Sequence, residues 1–121
     1  MSRSEGNIQA EILVGMSKAG ATVFRCNTGQ GWTGKVTKRY QQNGHSYIVI
    51  EDPRPLHAGL VKGGSDIIGW DKSGLFTAVE VKTSTGRATE DQLRFIDAVI
   101  AKGGRAGVAR SVDDALRILE G

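Results

Sequence analysis

Apolar residues recur along this chain with two periods, one helical and one strand-like, and the switches between them lay out its elements. From Ser4 to Ala19, Ile8, Ile12, Leu13 and Met16 fall at the spacing of an amphipathic helix, with Gly20 as its stop. Ala21-Thr22-Val23-Phe24-Arg25-Cys26 reads as a strand, and the glycine-bearing stretch from Asn27 to Gly34 as a loop. Lys35 to Tyr40 and Ser46 to Glu51 read as two arms of a hairpin, because Asn43 and Gly44 between them both tolerate the positive φ of a tight turn. Glu51-Asp52-Pro53-Arg54-Pro55, which holds both prolines, is expected to end the second arm, and Leu56 to Ser65 to follow as a loop. A further hairpin is expected from Ile67 to Trp70 and Leu75 to Thr83, turned by Asp71-Lys72-Ser73-Gly74.

After Ser84-Thr85-Gly86-Arg87, Thr89 is placed as the N-cap of a second helix with Gln92 as its capping-box partner. Leu93, Ile96, Val99 and Ile100 form the apolar stripe of that helix, and Gly103-Gly104 ends it. Arg105 to Arg110 is a short strand around Ala106 and Val108. Ser111 then caps a last helix through about Leu119, with Asp114 at the capping-box position and Ala115, Ile118 and Leu119 facing inward. The order predicts one α/β domain over residues 1–121, with a central mixed β-sheet flanked by helices. No internal repeat or low-complexity tract is visible.

Composition narrows the class. A chain of 121 residues supports a single core, and 39% hydrophobic with 24% charged residues is the balance of an ordinary globular protein. No apolar run approaches the roughly 18–20 residues of a membrane span, and Met1-Ser2-Arg3-Ser4-Glu5 lacks the apolar stretch of a secretory signal. The lone Cys26 excludes an internal disulfide framework and a cysteine-rich zinc site, and is expected to pack at a strand end. A cytoplasmic, reducing location is the default expectation. Net charge is +3 with a pI near 9.2, compatible with a polyanionic partner.

The distribution of that charge adds more. Lys35, Lys38, Arg39, Arg54 and Lys62 form one basic group; Lys82, Arg87, Arg94, Lys102, Arg105 and Arg110 form another. Such spread-out cations suit phosphate contacts along a duplex. Trp32, between Gly31 and Thr33, is placed either to stack on an unpaired base or to fold back on the hairpin. His45 and His57 have no ligand partner at metal spacing and read as exposed loop residues. Gly29-x-Gly31 and Gly63-Gly64 lack the context of a phosphate loop or dinucleotide fingerprint, so no nucleotide cofactor is expected.

The chemistry concentrates in Thr77-Ala78-Val79-Glu80-Val81-Lys82-Thr83. Strand alternation puts Glu80 and Lys82 on one face and Val79 and Val81 on the other. Charges are seldom buried in a strand without partners, because an unpaired one is costly. Pairing of this strand with the one that begins at Ile67 brings Asp66 close to Glu80 or Lys82. Carboxylate oxygens are hard ligands that suit Mg²⁺ or Mn²⁺, and a lysine beside them can orient a water or offset charge on a phosphate. The plainer alternative is a surface salt bridge on an edge strand, worth roughly 0–1 kcal/mol.

Gly64-Ser65-Asp66 followed by Glu80-Val81-Lys82 resembles the PD-(D/E)xK nuclease signature, with Ser65 where that name has proline. The flanks, Gly63-Gly64-Ser65-Asp66-Ile67-Ile68-Gly69-Trp70, Val79 to Thr83, Gly86-Arg87, Gln92 and Gly103 to Ser111, resemble the VRR-NUC branch of that superfamily. The resemblance extends from the first helix to Asp114. It implies a restriction endonuclease-like fold, an α-β-β-β-α-β core with an extra hairpin, and a metal-dependent DNA endonuclease. Asp66 and Glu80 would be metal ligands with the Val81 carbonyl, and Lys82 the catalytic lysine. An acidic residue on the first helix usually completes such a site. Glu5, Gln9 and Glu11 are the candidates, with Glu5 preferred, Gln9 as its neighbour and Glu11 solvated; with Ser2, Glu5 also fits a capping box.

Gln92 is placed by the resemblance near the scissile phosphate and by helix chemistry as the partner of Thr89. Lys35, Lys38, Arg39, Lys62, Ser65 and Arg87, with Gln9 and Trp32, are the expected DNA contacts. Small stand-alone members of this branch look like phage or bacterial homodimers acting on branched DNA, which points to a Holliday-junction-cleaving enzyme. The alternatives are the same chemistry on flaps, single strands or duplex DNA, and a DNA-binding module or complex subunit that does not cleave.

Overall fold

The computed structural model describes residues 3–27 and 29–121, which form two compact units: residues 3–27 with 59–121, and residues 29–58. The first unit begins where Ser4 accepts a hydrogen bond from the Asn7 amide and so caps α1 (Glu5–Lys18). The proposed capping box of Glu5 with Ser2 lies outside the described residues. One stripe of α1, Ile8, Gln9, Ile12 and Met16, is buried, as the spacing predicts. After Gly20 the chain enters β1 (Thr22–Arg25), and following the second unit it continues through β4 (Ile67–Trp70) and β5 (Phe76–Val81).

A helix, α2 (Glu90–Ala101), connects β5 to β6 (Arg105–Ala109), and α3 (Val112–Glu120) closes the unit. The four strands lie in the order β1-β4-β5-β6. The first two pairings are antiparallel and β5–β6 is parallel, which is why a crossover helix stands between those two strands. This is an α/β fold with a mixed central sheet and flanking helices. None of the helices among the described residues is long and apolar enough to cross a membrane.

Residues 77–81 of β5 are buried throughout, as a central strand covered on both faces requires. Val79 and Val81 join Ile8, Ile12, Met16, Ile67, Ala109 and Ala115 in the core, with Ile118 and Leu119 packed against it. The opposite face of β5, bearing Glu80, meets α2. In the β4–β5 turn the Asp71 carboxylate accepts from the Ser73 amide and hydroxyl and the Leu75 amide, at 2.9, 2.7 and 3.0 Å. These bonds, the Ser73 hydroxyl foremost, hold the Asp71 carboxyl down at a pKa of about 2. Gly69 permits the approach of β1, since a Cβ there would collide with the Thr22 carbonyl oxygen.

The second unit is a two-stranded antiparallel ribbon, β2 (Gly29–Gln42) and β3 (His45–Ala58), turned at Asn43-Gly44, both with positive φ. Its arms are longer than the sequence predicts. Residues 29–34 are strand rather than loop, and β3 runs through Pro53 and Pro55 instead of ending there, so the next loop begins at Gly59. The reason is the ribbon itself. Each strand of a two-stranded sheet has one free edge, where a residue without an N–H loses no ladder bond. The register also shifts between Thr33 and Lys35 and between Val36 and Lys38, and Asp52, at φ 50, takes up the first irregularity opposite Gly34.

Two smaller departures concern helices. Only Ile96 of the expected α2 stripe is buried; Leu93 and Ile100 are exposed and Val99 is partly covered, because α2 rests on β5 and β6 along a narrow line. Ser111 caps α3 by accepting from the Asp114 amide at 3.1 Å, but the Asp114 carboxylate accepts from the Arg110 amide at 2.9 Å rather than from the cap residue. The capping box of α3 is therefore half made.

Candidate active site

The β4–β5 register pairs Ile67 with Val79, so one further step sets Asp66 opposite Glu80. Directly opposed residues share a face, and so do positions two apart on a strand. Asp66, Glu80 and Lys82 are thus placed together by backbone geometry alone. Two hydrogen bonds fix Asp66: its carbonyl accepts from the Cys26 amide at 2.6 Å, and its carboxylate from the Val81 amide at 3.0 Å. Cys26, half-buried just past β1, does pack at a strand end, and its amide ties that end to the site.

Glu80 is the most constrained member, 1% exposed. Its Oε1 accepts from Gln92 Nε2 at 2.8 Å and lies 3.4 Å from Lys82 Nζ. Its Oε2 is buried with no hydrogen-bond partner among the described residues. Burial pushes the Glu80 carboxyl up to a pKa of about 7; the neighbouring Asp66 charge adds to the rise and Lys82 opposes it. Two close carboxylates, one with an orphaned buried oxygen, form a donor set that fits a hard divalent cation. Among the described residues, no group of three or more His, Cys, Asp or Glu comes together.

Gln92 fills its expected capping role and also reaches the Glu80 carboxylate. Its Oε1 accepts from the Thr89 amide at 2.8 Å while the Thr89 hydroxyl accepts from the Gln92 amide at 3.2 Å, completing the capping box of α2. The other end of the same side-chain amide, Nε2, donates to Glu80. Helix capping and carboxylate positioning are done at once.

The remaining predicted residues scatter. Ser65 is buried beside Asp66 with its hydroxyl unpartnered among the described residues. Lys62 is exposed and 3.4 Å from Asp91, and Arg87 is exposed on the loop after β5. Gln9 is buried in α1 and donates to Asn27 at 3.4 Å. Glu5, one turn earlier, is exposed, and Glu11 is exposed and paired with Arg3.

On the ribbon, Trp32 lies in β2 opposite Pro55, exposed, and Lys35, Lys38 and Arg39 are all exposed. His45 and His57 are exposed but stand within β3. Two features are not anticipated by the sequence patterns. Tyr40 and Tyr47, register partners, stack at 5.1 Å, with Lys38 Nζ 5.1 Å from the Tyr40 ring centre. The hairpin register counted back from Asn43-Gly44 would have revealed that pair. Arg110 Nη1 donates to the carbonyls of Thr83 and Gly86, a tertiary contact that no local pattern announces.

The profile of the VRR-NUC domain matches residues 55–113. That span runs from the end of β3 to the first turn of α3 and contains Lys62, Ser65, Asp66, Glu80, Val81, Lys82, Arg87 and Gln92. It leaves outside α1, with Glu5 and Gln9, and β2, with Trp32, Lys35, Lys38 and Arg39, so it is narrower than the resemblance read from the sequence. No curated protein matches the chain.

Proposed function

This chain carries a VRR-NUC nuclease domain over residues 55–113, and from that premise we infer that it is a metal-dependent, structure-selective DNA endonuclease. The observation that carries the reading is the buried Glu80 carboxylate facing Asp66, with one oxygen unpartnered among the described residues and Lys82 beside it. Burial of a carboxylate favours its proton unless cations offset the charge, and Lys82 at 3.4 Å from one oxygen leaves the other for a further cation. Asp66, Glu80 and the Val81 carbonyl would hold Mg²⁺ or Mn²⁺; Glu5, exposed in the first turn of α1 and not grouped with the two carboxylates, would join them as a further acidic ligand only on metal binding. Such an ion, when bound, supplies Lewis-acid polarisation of the scissile phosphodiester.

The rest falls to the chain's own side chains. The Lys82 ammonium, partly exposed at the mouth of the site, orients the attacking water and offsets negative charge gathering on the phosphate oxygens. Gln92 donates to Glu80 Oε1 and so limits how far that carboxylate must reorganise during the reaction. Attack in line on phosphorus breaks the bond to the 3′ oxygen and leaves 5′-phosphate and 3′-hydroxyl ends. The sharpest form of the proposal is a homodimer whose two sites cut a four-way junction symmetrically.

Labelled four-way junction, flap and linear duplex incubated with Mn²⁺ test it. Cleavage of the junction is expected, with loss of at least about a hundredfold in Asp66→Ala and Lys82→Ala, the scale of removing one preorganised transition-state group. Glu5→Ala is expected to raise the Mn²⁺ requirement while leaving residual cleavage. Metal-dependent product from none of the substrates would sink the enzyme reading. Cutting of flap but not junction, or a strict monomer by light scattering, would sink the junction version alone.

A further inference from the structure

The face that carries Asp66, Glu80 and Lys82 continues onto β6. In the parallel register Glu80 pairs with Val108 and Val81 with Ala109, and the Lys82 amide donates to the Ala109 carbonyl at 3.1 Å. The next step along the ladder therefore sets Arg110 beside Lys82, on the side away from Asp66. Arg110 is anchored there. Its Nη1 donates to the carbonyls of Thr83 and Gly86, 2.5 Å each, which draws the loop after β5 over the end of β6. Gly86 in turn lies against the Lys82 stem, since a Cβ on it would stand 3.5 Å from Lys82 Cδ.

Beneath this loop is an open cleft of about 730 Å³, lined in part by Ser84, Thr85, Arg87, Val108 and Arg110 and by no acidic residue. Lys62, Lys82, Arg94, Arg105 and Arg117 each lie within ion-pair distance of a carboxylate. Among the described residues Arg87 and Arg110 have no such partner, as is also true of Lys18, Arg25, Lys72 and Lys102, but the two arginines share one concavity. Two arginines lining one cleft with two hydroxyl residues and no acidic residue in the lining make a site for an external anion. The planar fork of arginine suits phosphate oxygens in particular.

We propose that Arg87 and Arg110 form a subsite for a DNA backbone phosphate adjacent to the scissile one, on the far side of Lys82 from Asp66. The proposal rests on the nuclease reading for the identity of its ligand. Its role is positional. A second phosphate held one strand away from Lys82 fixes the direction in which the backbone crosses the site, and carries no sequence information.

The test uses the whole protein and fluorescence anisotropy of a labelled four-way junction and a duplex, with Ca²⁺ in place of Mn²⁺, between about 50 and 200 mM NaCl. Removing one cation–phosphate pairing makes the slope of log K against log salt shallower by about 0.9. Arg87→Ala is expected to do so by about that amount, and Arg87→Ala with Arg110→Gln by about twice it. Arg110 also holds the loop carbonyls, so the slope of the exposed Arg87→Ala variant is the deciding measurement, with circular dichroism confirming its fold. A second arm neutralises single phosphates as methylphosphonates. One position next to the cut should weaken wild-type binding several-fold and leave Arg87→Ala unaffected. Slopes equal to wild type, or no phosphate position that is non-additive with Arg87→Ala, would overturn the subsite. If wild type nevertheless cuts DNA, the nuclease reading stands. Absence of cutting with the slope change intact would remove the nuclease reading and leave a DNA-binding cleft.

Discussion

Glu80 shows what a single side chain reports about both stability and function. Its carboxyl holds a proton up to a pKa of about 7, against 4.5 for an unperturbed glutamate, chiefly because burial penalises the charged form. Between those two values the folded chain binds more protons at Glu80 than the unfolded chain does, so this residue's contribution to stability declines as pH rises through the window. Thermal melts without divalent metal, from about pH 5 to pH 8, are expected to show a falling Tm, and Glu80→Gln to flatten the trend. A Tm that rises over that range in wild type would contradict the assignment. The pairing of Glu80 with Asp66 was legible from strand period and hairpin register. Its depth was not, because nothing in the Val79-Glu80-Val81 alternation says that α2 covers the polar face as well as α1 and α3 the apolar one.

At the scale of elements, the N-terminus of α2 joins helix capping to the site. Thr89→Ala removes only the hydroxyl that accepts from the Gln92 amide and is expected to cost about 1 kcal/mol in denaturant unfolding. Cleavage should fall little, since Gln92 keeps both its bond from the Thr89 backbone and its bond to Glu80. Gln92→Ala loses both of those bonds and leaves Glu80 with Lys82 alone. That is expected to cost about 1–3 kcal/mol, with cleavage reduced at neutral pH. Equal effects of the two substitutions on activity would show that capping alone matters. Thr89 and Gln92 were readable because a capping box is local. Residues 29–34 were not, because glycine spacing signals a loop unless a partner strand across the ribbon claims it, and the partner here contains two prolines.

For the whole molecule, the division into two units has an energetic basis. The buried residues, from Ile8 to Ala115, all belong to the first unit, and so do Asp66, Glu80, Lys82 and Gln92. The ribbon carries four basic residues, Lys35, Lys38, Arg39 and Arg54, against two acidic ones, Glu51 and Asp52. Gly29 and Ala58 are register partners, so the two ends of the ribbon lie about 5 Å apart and a short Gly-Ser link can replace it. Excision of Gly29–Ala58 is expected to leave a cooperatively unfolding protein with its metal-dependent chemistry, and to weaken DNA binding with a shallower salt dependence. Loss of the cooperative transition would mean that the ribbon supports the fold, against its absence from the buried core. The sequence predicts one domain and does not reveal this division, since length and hairpin signals look the same whether or not a ribbon contributes to a core.

The Asp71 turn sets something like a reading frame. Three donors converge on one carboxylate that stays ionised down to about pH 2, so the step at which β5 begins to pair with β4 is held across the whole working range. A frameshift of one residue at that turn would leave every strand in place and every apolar contact nearly as good in kind. It would, however, exchange the addresses of Glu80 and Lys82 with those of Val79 and Val81. The chemistry of this chain is thus encoded twice: once in the residues that perform it, and once in a distant aspartate that says where counting starts.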